Sequence, residues 1–208
     1  MPAGELFEET FLKNIQSLVE RHHTIYTFLP PQGIFFEGLV EQAFIHSGWP
    51  KNEVVLTTPN SPQHDLLVGT VRLSIKSETG KATKQAKISI TKLCTTETGE
   101  WTPEALVNHA LAHLGRYERM LMLRAVWKPF NIDYQLVDIP LGLLKLMRTA
   151  KFSGVGKRSG RKSIGGDVVL DGERVFRVHF DGADGKCQVH ELLIERCAIL
   201  RQWKQPFN

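Results

Sequence analysis

An α/β fold with a central mixed β-sheet flanked by helices is predicted for this chain by three observations. Two stretches near the N-terminus repeat apolar residues at the helical period. From about residue 64 the period falls to two, and strand-like runs separated by a polar turn continue to Leu93. Two later apolar runs, "RMLMLRAVW" and "DYQLVDIP", follow a helical segment and read as buried strands. With 208 residues, no internal repeat and no clear linker, a single domain over 1–208 is expected.

Residues 4–22 form the first expected helix. Leu6, Phe11, Ile15, Leu18 and Val19 recur near the helical period, and acidic residues fill the first turn. "FLPPQG" (28–33) breaks the chain with two prolines and a glycine. The second helix lies in "FFEGLVEQAFIHSG", where Phe36, Leu39, Val40, Ala43 and Phe44 make the apolar stripe; Gly48 and Pro50 stop it. "EVVLTT" (53–58) is a short strand, and "PNSPQ" is a turn-rich lead into "HDLLVGTVRLSIKSETGK" (64–81).

In that stretch Leu66, Val68, Val71, Leu73 and Ile75 alternate with other residues, and "SETGKATK" is a polar turn before "AKISITKLC". Thr102 is the N-cap and Pro103 the first residue of a helix in "TPEALVNHALAHLGRY". Pro140 opens another in "PLGLLKLMRTA". "FSGVGKRSGRKSIGG" reads as a flexible or partner-ordered loop. "RVFRVHF" and "CQVHELLI" flank "DGADGK" as a C-terminal β-hairpin extension.

A hydrophobic content of 42% with 23% charged residues is that of a globular rather than a disordered chain. "MPAGELFEETFLKNIQ" is acidic and amphipathic, unlike a secretory signal, and no apolar run approaches a membrane span. Cys94, Cys187 and Cys197 form no C-x-x-C pair, so a reducing cytoplasm is the expected compartment, with the thiols as core filler.

Charge is distributed unevenly. Residues 1–64 hold three Lys and Arg against seven Asp and Glu, whereas 65–208 hold 23 against 15. Residues 141–166 contain seven basic side chains and no acidic one. A solvated loop accounts for such a run, but so does contact with a phosphate backbone, and the layout favours a nucleic-acid partner.

The chemistry concentrates in 64–81. Alternate residues of a strand face the same way, so Ser74, Lys76 and Glu78 line one face. If Gly69 bends the chain, Asp65 returns beside them, and a carboxylate, an oxygen ligand and an ammonium converge. That is a minimal Mg²⁺ hydrolase, since hard Mg²⁺ takes carboxylate, carbonyl and water oxygens and activates a bound water. The plain alternative is a half-solvated strand: Asp65 caps its end, Lys76 guards its edge, and Glu37 and Glu41 are ordinary helix residues.

Asp65, Ser74, Ile75 and Lys76 resemble the Asp…(Asp/Glu)-x-Lys core of the PD-(D/E)xK nucleases, the restriction-endonuclease-like superfamily. "GIFFEGLVEQAFIHSG" is similar to the helix that carries an additional glutamate there, with Glu37 in its place and Glu41 as the alternate. The order helix, Asp strand, x-Lys strand, further strand, helix, strand also fits, over roughly 34–127.

Two departures stand out. Pro62 lies three residues before Asp65 rather than directly before it, and Ser74 occupies the usually acidic position. Either Ser74 and the Ile75 carbonyl leave a thinner metal shell completed by Glu37, or Glu78 swings in from the same face. A third reading is an inactive site.

The resemblance implies a restriction-endonuclease-like core and a sequence-specific, Mg²⁺-dependent endonuclease of double-stranded DNA, most like a small type II restriction enzyme. It also implies a homodimer. Asp65, Ile75, Glu37 and Glu78 are then the candidate metal ligands, and Asp65, Ser74, Lys76, Glu78 and Glu37 the candidate catalytic set, with Lys76 handling the water. The alternatives are a non-catalytic nucleic-acid-binding protein on a degraded nuclease fold, or a nuclease for structured repair or recombination DNA.

DNA contacts are expected in the basic C-terminal part, about 141–208. Lys157, Arg158, Arg161 and Lys162 suit phosphates. Arg177, His179, Gln188 and His190 alternate out of the hairpin and suit base edges, while a sheet with one wet face is the simpler account. His109 and His113, one helical turn apart, lack a third ligand for zinc, and no P-loop, dinucleotide or G-x-S-x-G pattern occurs.

Overall fold

A computed structural model of the chain describes residues 6–57, 64–96, 100–157 and 161–207. Along the described residues the order begins with α1 (Glu9–Ile25), α2 (Ile34–His46), β1 (Val54–Leu56), β2 (Leu66–Val68) and β3 (Val71–Glu78). It continues with β4 (Lys87–Thr95), α3 (Pro103–Leu114), β5 (Arg119–Trp127), β6 (Asn131–Asp138) and α4 (Leu141–Leu144). The strands β7 (Lys151–Lys157), β8 (Lys162–Leu170), β9 (Glu173–Phe180), β10 (Lys186–Leu193) and β11 (Ala198–Pro206) complete it. The chain divides into two compact units, Met1–Thr83 with Tyr117–Ile139 and Ala198–Asn208, and Lys84–Arg116 with Pro140–Cys197. The stretch 34–127, expected as one core, therefore contributes to both.

The first unit is built on a mixed six-stranded sheet, ordered β1-β2-β3-β5-β6-β11. Only β3 and β5 run parallel, with Lys76 opposite Met122 and Glu78 opposite Arg124. Leu73, Ile75, Leu121, Leu123, Tyr134 and Leu136 point to one face and bury it against α1 and α2. Those helices supply Phe11, Ile15, Val19, Phe36, Val40 and Phe44, the apolar stripe read from the sequence. Phe11 and Phe44 stack with ring centroids 4.2 Å apart, which fixes α1 on α2. The opposite face is not wet: Ser74, Met120, Met122, Arg124 and Gln135 are buried on it. On β3 itself that face buries Ser74 and leaves Lys76 and Glu78 partly exposed.

The second unit holds a five-stranded antiparallel sheet, β4-β10-β9-β8-β7, with α3 and α4 in the same unit. Thr102 caps α3, its hydroxyl accepting from the Ala105 N–H at 3.3 Å, with Pro103 in the first turn. Cys94 and Cys187 sit opposite each other in β4 and β10, both buried, and none of the three cysteines forms a disulfide. Among the described residues no helix is long and apolar enough to cross a membrane.

Several expectations need correction. A hairpin extension on one sheet is replaced by two sheets, with β9 and β10 in the middle of the second. Period-two alternation marks a strand but does not name its neighbour. For the same reason β4, which follows β3 in sequence, joins the second sheet. The basic "loop" is largely the strand pair β7–β8. Its glycines hide the alternation, and one is required: a Cβ on Gly166 would lie 2.9 Å from the Phe152 ring. The helix after Pro140 is a single turn continued by a 3₁₀ stretch, Lys145–Thr149. The first helix starts at Glu9 and runs on to Ile25. β11 is not among the expected elements, because an edge strand carrying Arg201, Lys204 and Pro206 does not read as one.

Phe11→Ala removes one ring of the stack between the two helices. It is expected to lower unfolding stability by about 3–5 kcal/mol, measured by urea denaturation, and a loss below about 1 kcal/mol would show that the helix pair does not rest on this stack.

Candidate active site

A two-residue turn creates the site. Val68 and Val71 face each other across Gly69–Thr70, and Gly69 takes a φ of +59°, which glycine adopts without strain. The hairpin register puts Leu66 opposite Leu73, so Asp65, one residue earlier, falls on the face of Ser74 and Lys76. The Asp65 N–H donates to the Leu73 carbonyl at 3.0 Å, and its own carbonyl accepts from Thr57 at 3.1 Å. The backbone of the aspartate is therefore held from both sides.

Its side chain then completes the edge of β3. β2 is only three residues long and ends its pairing at Leu73, which leaves the Ile75 N–H facing an open edge. Asp65 Oδ2 accepts that N–H at 2.6 Å, together with the Ser74 hydroxyl and Lys76 Nζ, both at 3.2 Å. Lys76 Nζ also donates to the Ile75 carbonyl at 3.2 Å, an oxygen on the same open edge. All three bonds to Asp65 fall on Oδ2, and none from the described residues falls on Oδ1.

α2 brings Glu37 within electrostatic reach of this cluster. Burial pushes its carboxyl above the ordinary range, the negative charge of Asp65 pushes it further, and Lys76 pulls it back. Glu41, one turn on, is half-buried and accepts from Gln42 at 3.3 Å. The structure thus gathers Asp65, Ser74, the Ile75 backbone and Lys76, with Glu37 coupled to them through charge.

Glu78 is held elsewhere. Its carboxylate accepts from Arg124 Nε at 2.7 Å, and Arg124 Nη1 donates to Gln135 Oε1 at 2.6 Å. Arg124 is fully buried. Sequence reasoning did not single out Arg124 or Gln135, although the signal was present. A guanidinium inside "RMLMLRAVW" must have a buried partner.

The carboxylates of Asp65 and Glu37 and the carbonyl of Ile75 offer oxygen donors, the kind a hard cation takes. Burial is the larger cause of the raised Glu37 carboxyl, and the smaller one, repulsion from Asp65, is the kind a divalent ion relieves. No cluster of three or more His, Cys, Asp or Glu that could hold a metal ion occurs among the described residues.

The candidate DNA-contacting residues lie in the second unit. Arg158 falls outside the described residues, and Lys157 ends β7, its backbone paired with Lys162. Arg161 stacks over Trp101 at 4.8 Å, and Trp101 Nε1 donates to the Lys162 carbonyl at 2.8 Å, a clamp that sequence reasoning missed. On β9 and β10, His179 pairs with Gln188 and Arg177 with His190, all on one face. Gln188 Oε1 lies 3.1 Å from His179 Nδ1 and 3.2 Å from His190 Nε2, and Arg177 donates to Asp167 at 3.1 Å. Burial, then the nearby His179 and Arg177, hold the His190 imidazole below its ordinary range.

Comparison with known proteins gives these features a family. Residues 1–205 match the model of the SmaI family, described as type II site-specific deoxyribonuclease. The type II restriction enzyme SmaI of Serratia marcescens is 28% identical over 208 residues, covering 97% of this chain and 82% of that protein. No solved structure matches. Nearly the whole chain, including the Asp65 hairpin and the basic strands after Pro140, lies within the match, and the chain belongs to the SmaI family of type II restriction endonucleases, the sequence-specific deoxyribonucleases.

Proposed function

We propose that the cleavage site of this endonuclease is the Asp65–Ser74–Ile75–Lys76 cluster with Glu37, that it works with Mg²⁺, and that it sits in a restriction-endonuclease-like core. The observation that carries the reading is the convergence of Ser74, the Ile75 N–H and Lys76 on one oxygen of Asp65. In this reading Asp65, Glu37 and the Ile75 carbonyl hold the ion. When bound, Mg²⁺ supplies charge stabilisation at the phosphate and lowers the pKa of a coordinated water.

The chain's own groups divide the remaining work. Lys76 is bonded to both Asp65 and the Ile75 carbonyl. From there its ammonium orients the attacking water and offsets negative charge that grows on the phosphate oxygens. Ser74 replaces an acid with a donor: it steadies Asp65 by a hydrogen bond where a carboxylate would repel it. The second acidic ligand is therefore Glu37 rather than Glu78, whose carboxylate neutralises buried Arg124. Arg161 and Lys162, with Lys157 and Arg158, contact phosphates. Arg177, His179, Gln188 and His190 exchange their present bonds for base edges. Cutting both strands calls for two such sites, so the active form is a homodimer.

Lys76→Ala is expected to reduce cleavage of duplex DNA by roughly 10²- to 10⁴-fold while leaving metal-free DNA binding nearly unchanged. Wild-type protein should yield discrete fragments with Mg²⁺ and none with EDTA. Full activity of Lys76→Ala would remove this lysine from the mechanism.

The titration of Glu37 has a definite sign. Its folded midpoint lies above the unfolded value, so the carboxyl favours the fold below its ordinary range, and that contribution is lost as the pH rises through the raised midpoint. Asp65→Asn should lower the midpoint, Lys76→Ala should raise it and Mg²⁺ should lower it, all readable by carboxyl-carbon NMR. Cleavage should weaken as the pH falls through the same midpoint. A Glu37 resonance indifferent to Mg²⁺ would exclude it as a ligand.

Replacing Arg161 and Lys162 together with alanine should weaken binding evenly across sequences and flatten the slope of log K against log salt by about 2. Gln188→Ala should instead relax discrimination at one base pair by about 1–3 kcal/mol. Equal loss on every sequence in both variants would take Gln188 out of base reading.

A further inference from the structure

The segment from the end of α1 to the start of α2 is apolar, uncharged and largely exposed, with Pro30, Pro31 and Phe36 buried within it. Residues 25–36, "IYTFLPPQGIFF", contain no charged side chain, although the chain as a whole is 23% charged. Ile25, Tyr26, Phe28, Leu29, Ile34 and Phe35 are each between 52% and 72% exposed. Tyr26, Leu29, Ile34 and Phe35 border a groove of about 380 Å³ between the end of α1 and the start of α2. A second groove, of about 230 Å³, continues from Phe28 and Leu29 to Lys81 and Trp127. Phe28 packs on Phe207 at 5.4 Å, and the Phe207 N–H donates to the carbonyl of Phe130, which is 83% exposed. The patch is thus continuous with the β5–β6 turn of the same unit.

We infer that this surface is the self-association interface, and that its occupant is the same surface of a second copy of the chain. The inference rests on the proposed two-site cleavage of duplex DNA. The strands of a duplex are related by two-fold symmetry, the chain carries one Asp65–Lys76 site, and a closed two-fold pair uses one patch twice. Such a patch must tolerate its own copy. A charge-free segment does, because no like charges are brought together.

Area and charge agree with that occupant. Three aromatic and three aliphatic side chains more than half exposed amount to on the order of 600 Å². That is near the about 800 Å² each partner contributes to a standard interface, and at the upper end of what a monomer leaves in one patch. DNA is a poor occupant, since residues 25–36 offer no Lys or Arg to its phosphates. A lipid surface is equally poor, for the segment lacks the basic flank that would hold it there.

The location also ties association to the site. Glu37 directly follows this segment on α2, and the Gly33 N–H donates to Ser77, the neighbour of Lys76, at 3.4 Å. Ordering 25–36 against a partner therefore steadies the turn from which Glu37 projects.

The first measurement is sedimentation velocity of the purified protein without DNA, where twice the chain mass of 23.5 kDa is expected. Leu29→Lys/Ile34→Lys should sediment as a monomer with unchanged far-UV circular dichroism, and on supercoiled plasmid it should accumulate nicked circles instead of linear product. Mixing it with Leu29→Glu/Ile34→Glu should restore the pair. Hydrogen exchange on unmodified protein, at concentrations either side of the association midpoint, should show added protection at 25–36 and keeps the test open if the variants misfold. A wild-type monomer, a lysine variant that stays dimeric, or a dimer with no added protection at 25–36 overturns the inference. A dimer that cuts no DNA would leave the interface standing and sink the cleavage reading, whereas a monomer that cuts DNA would do the reverse.

Discussion

The hydrogen bond from the Ile75 N–H to Asp65 Oδ2 is the contact on which the site depends. It arises because β2 is too short to pair with the whole of β3, so the strand would otherwise expose a polar edge. The aspartate side chain substitutes for the missing strand. In doing so it is pinned beside the Ile75 carbonyl, and Lys76 is drawn to both. Structural need and chemical arrangement coincide here. The carboxylate that satisfies the backbone is also the group that gathers an ammonium and a carbonyl at one point.

Everything behind that edge serves to keep β3 straight and in register. On one face Leu73 and Ile75 anchor it under α1 and α2. On the other, Glu78 is tied to Arg124 on the parallel neighbour, and Arg124 to Gln135 one strand further. A buried ion pair of this kind adds little net stability but is costly to break from one side, so it resists slippage of β3 against β5. A slip of one residue would turn Lys76 to the helix face and Ile75 to the site. The pair that occupies the Glu78 carboxylate thus also holds the register that places Lys76 beside Asp65.

The parts legible in the sequence were those written in local pattern. Helical stripes in α1 and α2, the capped start of α3 and the Gly69 bend all follow from residues within a few positions of one another, and the bend alone predicts that Asp65 meets Ser74 and Lys76. What was not legible depended on long-range pairing. Nothing local distinguishes β4, which joins β10, from a strand that joins β3. Nor does any local rule pair Trp101 with Arg161, or show that the glycine-rich run around Gly154 and Gly166 forms strands whose neighbours fill the space of the missing side chains. The Arg124 partner of Glu78 was not legible for a related reason. Alternation gives the face of Glu78 correctly, but its partner lies 46 residues away.

In the proposed reading, Ser74 is a departure from the motif that leaves its chemistry in place. With carboxylates at both 65 and 74, the two charges would repel each other at close range, and both would rely on a cation for relief. A serine at 74 removes that repulsion and supplies a donor, so Asp65 is held in place before any ion arrives. The charge missing from position 74 is then needed from a more distant group. In the proposed reading Glu37 meets that need in kind: burial first and then the charge of Asp65 raise its carboxyl, and it sits on another element. In the proposed reading the site exchanges a tight, self-repelling acidic pair for a spread pair with a neutral spacer. The consequence is a division of labour: the hairpin alone fixes Asp65 and Lys76, whereas the second acidic group depends on how α2 is packed.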